Sequence, residues 1–127
     1  MQLKMQEILG FASFYESAKS YKLSMKTAYN LARLAKAIDN ELQFYREKLQ
    51  AIIAEYGEKD ADGNPIMTED GEGIKLRAGC EDVCFTAMRE LQDIDINLPD
   101  IKFTIEDFGN IELSPAETAA IFPFIEE

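Results

Sequence analysis

Between Met25 and Tyr56 apolar residues recur at steps of 4, 3, 4, 3, 4, 3 and 4, namely Leu31, Ala35, Ile38, Leu42, Tyr45, Leu49, Ile52 and Tyr56. Only a helix returns side chains to one face at such intervals, so this stretch reads as one long amphipathic helix with a heptad seam. Ser24 stands where an N-cap hydroxyl accepts an amide proton of the first turn. Gly57 follows Tyr56 directly and is expected to close the helix in the left-handed conformation. The 32 residues, at about 1.5 Å each, predict a rod of roughly 48 Å. Upstream, Met5, Ile8, Leu9, Ala12, Tyr15 and Ala18, with Phe11 and Phe14 on an adjoining stripe, predict a first helix from Met5 to about Lys19. The two would form a helical hairpin, but the first is too short to cover the seam from end to end. Either the C-terminal half or another copy of the chain must do so, and a homo-oligomer is expected.

The remainder predicts a mainly α protein with minor β structure. With 127 residues, 46% of them hydrophobic, the chain suits a single domain able to bury a core without staples. After the helical hairpin of residues 1–56, residues 57–76 are rich in glycine and acid around Asp62-Gly63, which predicts an acidic β-hairpin or exposed loop. Residues 77–127 then carry a third helix, two short strands and a C-terminal helix. Val83, Cys84, Ala87, Met88 and Leu91 restore helical spacing from about Gly79 to Leu91. Alternation places Ile94, Ile96 and Leu98 on one strand and, after Pro99-Asp100, Ile101, Phe103 and Ile105 on another, with their pairing open. Ser114-Pro115-Ala116-Glu117 has the cap, first-turn proline and third-position glutamate that open a short helix ended by Pro123.

Charge divides the chain. The net charge is −11, yet residues 1–56 carry 8 Lys and Arg against 6 Asp and Glu, and residues 57–127 carry 5 against 18. An acidic half repels phosphate backbones, so direct nucleic-acid binding is not expected. The opening MQLKMQEILG lacks a basic region followed by a sustained apolar stretch, and no run of about 18 apolar residues occurs. A soluble protein, neither exported nor membrane-bound, is expected.

The same residues argue against catalysis. Histidine is absent, which removes the commonest general base and metal ligand. Cys80 and Cys84 offer two thiolates where structural zinc needs four ligands, and their spacing suits a helix face in a reducing compartment. Glu58, Asp60 and Asp62, with Gly63 and then Glu69, match the spacing of a calcium loop, but Glu stands at its first position and Pro65 at its eighth; an acidic turn is the expectation. Adjacent acids such as Glu81-Asp82 do not converge on one point. The reading is therefore of a non-enzymatic protein without cofactor or metal. Tyr29, Arg33, Lys36, Phe44 and Arg46 are an aromatic and basic set that could line a pocket at a chain–chain interface and stack a nucleotide-like ligand, although most aromatic residues are expected in the core.

The stretch Leu31-Ala32-Arg33-Leu34-Ala35-Lys36, the segment Tyr56-Gly57-Glu58-Lys59-Asp60, the extended Ile94 to Ile105 region and the closing Ser114-Pro115 with Pro123-Phe124-Ile125-Glu126-Glu127 carry a resemblance. In these the chain resembles a family of short, uncharacterised proteins encoded by phages and prophages of Gram-positive bacteria. The resemblance spans most of the chain from Leu31 onward; residues 64–73 and the cysteine pair depart from it. It implies a phage setting in a bacterial host cytoplasm and transfers no functional residue. Together these features suggest an oligomeric inhibitor or sequestering factor aimed at a host protein or a host-defence ligand. The alternative is a phage structural or assembly-chaperone protein.

Overall fold

Gln2-Leu3-Lys4 and Asp95-Ile96-Asn97 each set one apolar residue between two polar ones, the minimum pattern for a strand with a single buried face. In the computed structural model, which describes residues 1–71 and 73–126, these two segments pair. Strand β1 (Gln2–Lys4) lies antiparallel to β2 (Asp95–Asn97) with Leu3 opposite Ile96, both buried. Lys4 faces Asp95 in the register, and their side chains meet at 3.1 Å. Met1 and Leu98 exchange backbone bonds of 2.8 and 2.7 Å beyond one end of the ladder, and the Met5 amide donates to the Ile94 carbonyl at 2.9 Å beyond the other.

The helices are α1 (Met5–Ala18), α2 (Met25–Tyr56), α3 (Glu81–Gln92) and α4 (Pro115–Ile121). The fold is thus mainly α with a small two-stranded sheet, as the sequence pattern leads one to expect. The described residues form two compact units, one of Met1–Leu42 with Ile94–Glu127 and one of Gln43–Asp93.

In the first unit α1 leaves β1 directly, with the Glu7 carboxylate accepting the Lys4 amide at 3.0 Å. Its buried stripe is Met5, Ile8, Phe11, Phe14 and Ala18, whereas Leu9, Ala12 and Tyr15 are only half-buried. The face is therefore centred on what the sequence suggests is its margin, because the phenylalanines meet others from the C-terminal segment. Phe11 lies 5.1 Å from Phe124 between ring centroids, Phe14 6.1 Å from Phe108, and Phe103 5.9 Å from Phe108, the tilted and edge-on spacings that aromatic quadrupoles favour. Phe11, Phe103 and Phe124 are among the largest fully buried side chains, each stabilising the unit by about 1.5–3 kcal/mol relative to exposure. Thr27, Leu31, Leu34 and Ile38 from the first part of α2 are buried in this unit as well. Ser24 caps that helix, its Oγ accepting the Thr27 amide at 3.3 Å and donating to the buried Thr27 Oγ1 at 3.0 Å.

One expectation for this unit needs correcting. Ile101 to Ile105 is not a second strand with all three apolar residues on one face: Ile101 and Phe103 are buried, but Ile105 is 75% exposed. Phe103 makes a single parallel bridge with Ile125. The Thr104 amide then donates to the Asp107 carboxylate at 2.8 Å, starting a 3₁₀ turn over Ile105–Phe108 that ends the alternation. Local capping wins over strand periodicity because a carboxylate three residues on can satisfy the amide that a strand neighbour would otherwise take.

In the second unit α2 runs to Tyr56 and passes straight into extended chain. Gly57 has no left-handed conformation; positive φ is found at Gly63, Gly71, Gly79 and Gly109. What requires glycine at 57 is proximity, since a Cβ there would sit 2.6 Å from the Ile53 carbonyl oxygen. Three short segments then close on one another: the Glu58 amide donates to Lys75, the Lys75 amide to Ile66 and the Ile66 amide to Glu58, at 2.8, 2.7 and 3.0 Å. The Arg77 amide and guanidinium donate to the Tyr56 and Glu55 carbonyls, placing a cation on the negative end of the helix. Along α3 Cys84 and Leu91 are buried and Ala87 and Met88 half-buried, while Val83, expected on that face, is 51% exposed.

Candidate functional site

The largest surprise in the first unit lies in its C-terminal segment. After the 3₁₀ turn, Gly109 takes φ +56° and the chain doubles back through Ile111 and Leu113 to α4. The Ser114 Oγ accepts the Glu117 amide at 3.1 Å and the Glu117 carboxylate accepts the Ser114 amide at 3.2 Å, the reciprocal cap that the sequence predicts. The Phe122–Phe124 turn then returns the chain to Phe103. This path encloses an apolar groove of about 260 Å³. Buried Phe108 and Ile121 contribute to its lining, as do half-buried Ile111 and Leu113 and two strongly exposed side chains, Ile105 at 75% and Phe122 at 66%. Thr118 supplies a hydroxyl, but that group donates to the Ser114 carbonyl at 3.0 Å. A lining of this kind holds an apolar group by exclusion of water; it offers no acid, base or nucleophile to a substrate.

One titratable pair braces α4. The Tyr21 hydroxyl donates to the Glu117 carboxylate. That bond, with the one from the Ser114 amide, holds the Glu117 carboxyl below its ordinary value, and the same contact pushes the Tyr21 hydroxyl up. The pair joins the chain after α1 to the first turn of α4.

The seam residues divide along α2. Leu31 and Ile38 are 3% and 1% exposed and belong to the first unit, whereas Leu42, Tyr45, Leu49, Ile52 and Tyr56 are all half-buried, as is Ala35. Within the second unit the apolar hydrophobic core is thin: Cys84 and Leu91 are its buried hydrophobic residues, and Phe85 is 64% exposed. Burial pushes the Cys84 thiol up, with Cys80 adding to the effect, which disfavours the reactive thiolate.

The aromatic and basic set is placed on the helix surface. In the first unit Tyr29 is 62% exposed, with the Arg33 guanidinium 5.8 Å from its ring centroid and Lys36 exposed one turn on. In the second unit Phe44 is 39% exposed, its ring 5.6 Å from the Lys48 ammonium, and Arg46 is exposed. Each ring is thus covered by the cation four residues on, Arg33 over Tyr29 and Lys48 over Phe44.

In the acidic hairpin the Asp60 carboxylate accepts the Asp62 and Asn64 amides at 2.9 and 3.0 Å, and the Glu58 carboxylate meets the Lys75 ammonium at 3.3 Å. The calcium-like spacing is used to build a turn. Among the described residues no three His, Cys, Asp or Glu side chains are grouped to hold a metal ion. Among them, too, no helix is long and apolar enough to cross a membrane. Glu72, within the hairpin, and Glu127, in the closing segment, lie outside the described residues.

The groove was not legible in the sequence. Its contributors come from a 3₁₀ turn, a loop, a seven-residue helix and a second turn, none of which has a period to detect; the only signal is the apolar pair Ile111 and Leu113 beside Gly109. Compared with family models, curated proteins and solved structures, the chain matches none of them.

Proposed function

We propose that this protein acts by binding and not by catalysis, as an oligomeric phage-type accessory factor of the bacterial host cytoplasm that occupies a host protein or sequesters a host-defence ligand. The observation that carries the reading is the unfinished apolar surface of the second unit. Leu42 apart, the distal seam of Tyr45, Leu49, Ile52 and Tyr56 belongs to that unit, and every one of these side chains is left half-exposed. Exposed Val83 and Phe85 on α3 add to the same unit's apolar surface. Apolar side chains left half-exposed along one helix mark an interaction site, and a heptad seam is the pattern that a second helix of the same kind covers by knobs-into-holes packing. The phage setting rests on the sequence resemblance.

The reading is tested first by analytical ultracentrifugation across protein concentration. A defined oligomer is expected for the natural chain, and Leu49→Asp with Ile52→Asp should lower its order while the helical circular dichroism is kept. The oligomer is then used as bait in host lysate and screened for thermal shift against a nucleotide panel. Capture of a host protein, or a shift of several degrees with one nucleotide class, supports the proposal. A natural chain that stays monomeric and responds to neither overturns it.

A further inference from the structure

The first unit presents two surfaces of opposite character. Residues 94–127, which build the apolar groove, contain eight Asp and Glu against one Lys, and Glu106, Glu112 and Glu126 among them are exposed. From Lys19 to Ile38 the chain contains five Lys and Arg and no acid. On the outer face of α2, Met25, Lys26, Tyr29, Arg33 and Lys36 are all exposed, Met25 by 85% and Tyr29 by 62%. Met25 and Tyr29 stand one helical turn apart, about 6 Å along the axis, flanked by the cations. An apolar helix face flanked by exposed cations is the complement of an apolar groove whose lining residues Ile105, Ile111 and Ile125 are each followed by an exposed glutamate.

We infer that a second copy of this chain is the occupant of the groove, the Met25 and Tyr29 side chains of one copy entering between Ile105 and Phe122 of the other while Lys26, Arg33 and Lys36 meet Glu106, Glu112 and Glu126. Three observations converge on it. The groove, at about 260 Å³, is below the range of about 300–1,000 Å³ typical of cofactor and small-molecule sites and suits inserted side chains. The exposed glutamates that follow lining residues favour a basic occupant, and Lys26, Arg33 and Lys36 stand with Met25 and Tyr29 on one exposed helix face. Lys22 and Ser24 also border a cleft of about 360 Å³ together with Glu106 and Gly109, so the start of the basic face adjoins the groove on the same unit. Neighbouring patches of this kind allow two copies related by a two-fold axis to exchange them reciprocally, each basic face covering the other copy's groove. The contact is separate from the distal seam of α2 and stands or falls independently of it.

The test identifies which surfaces touch and not merely the oligomeric state. Equal amounts of isotopically light and heavy chain are mixed, coupled with a zero-length carbodiimide reagent and analysed by mass spectrometry. Mixed-isotope peptides joining Lys26 or Lys36 to Glu106, Glu112 or Glu126 are expected, falling several-fold between low salt and about 0.5 M salt as the charges are screened. Two charge-reversed chains, one with Lys26→Glu and Lys36→Glu and the other with Glu106→Lys and Glu112→Lys, should each lose these links alone and regain links between the same positions when mixed. All the altered side chains are exposed, and circular dichroism is used to check that each variant folds. Absence of mixed-isotope links at these positions, or links indifferent to charge reversal, overturns the inference. So does a basic amphipathic peptide of unrelated sequence that binds the groove without competition from the chain's own helix face.

Discussion

Two glycines show how differently the same substitution can act. Gly10 lies inside α1, and a Cβ there would meet the Ala120 Cα of α4 at 3.9 Å, an ordinary contact. Gly10→Ala removes backbone freedom from the unfolded chain without strain and is expected to raise stability by about 0.5–1 kcal/mol in urea unfolding. Gly57→Ala drives a methyl against the Ile53 carbonyl oxygen and should lower stability by about 1–3 kcal/mol, the range of overpacked sites. Tyr21 and Glu117 supply a pH signature. The Glu117 carboxyl is held below its ordinary value, so its contribution is present above the ordinary carboxylate range and lost as pH falls through the lowered folded value. The Tyr21 hydroxyl is raised, so its contribution is present below the ordinary tyrosine value of about 10 and lost as pH rises through the raised one. Tyr21→Phe should therefore lower Tm near neutrality and flatten both limbs of the Tm–pH profile; unchanged limbs would show that the pair is not coupled to folding.

Elements in this chain hold where a local device supports them. The seven-residue α4 is far too short to persist on propensity, and it depends on its cap, on the Tyr21 bond and on burial of Ile121. Ser114→Ala is expected to cost about 1 kcal/mol and to speed amide exchange throughout Pro115–Ile121, while α1 keeps its protection. The serine, proline and glutamate of that cap are contiguous, which is why α4 could be read from the sequence. Helix α2 was legible for a different reason, a heptad sustained over its length, and so was its end at Tyr56, although Gly57 serves close approach to Ile53 in place of a left-handed turn. Three-residue strands lie at the other extreme. With one apolar residue each, β1 offers no period at all, and the partner of β2 is some ninety residues away in sequence.

For the whole molecule the dominant quantity is charge. A net charge of −11, with −13 confined to residues 57–127, opposes the folded state through self-repulsion. Raising salt from about 10 to 500 mM is expected to increase Tm, because added ions screen repulsion over distances longer than about 4 Å at the higher concentration. The same salt should weaken the proposed contact between the basic helix face and the glutamates beside the apolar groove. A Tm that falls with salt would place net attraction, not repulsion, in control of the folded chain.

By itself the sequence determined the helices, the Ser24 and Ser114 caps and the charge division, because each is written in neighbouring residues or in a short repeating period. Tertiary structure decided which stripe of α1 is central, since Phe11 and Phe14 gain their weight only from Phe103, Phe108 and Phe124 far along the chain. It decided that Ile105 is exposed, through a cap that competes with strand pairing. It also separated the seam into a buried beginning and a half-exposed end, and assembled the groove from turns without periodicity. Burial is a property of what surrounds a residue, and for these positions the surroundings are distant in the chain.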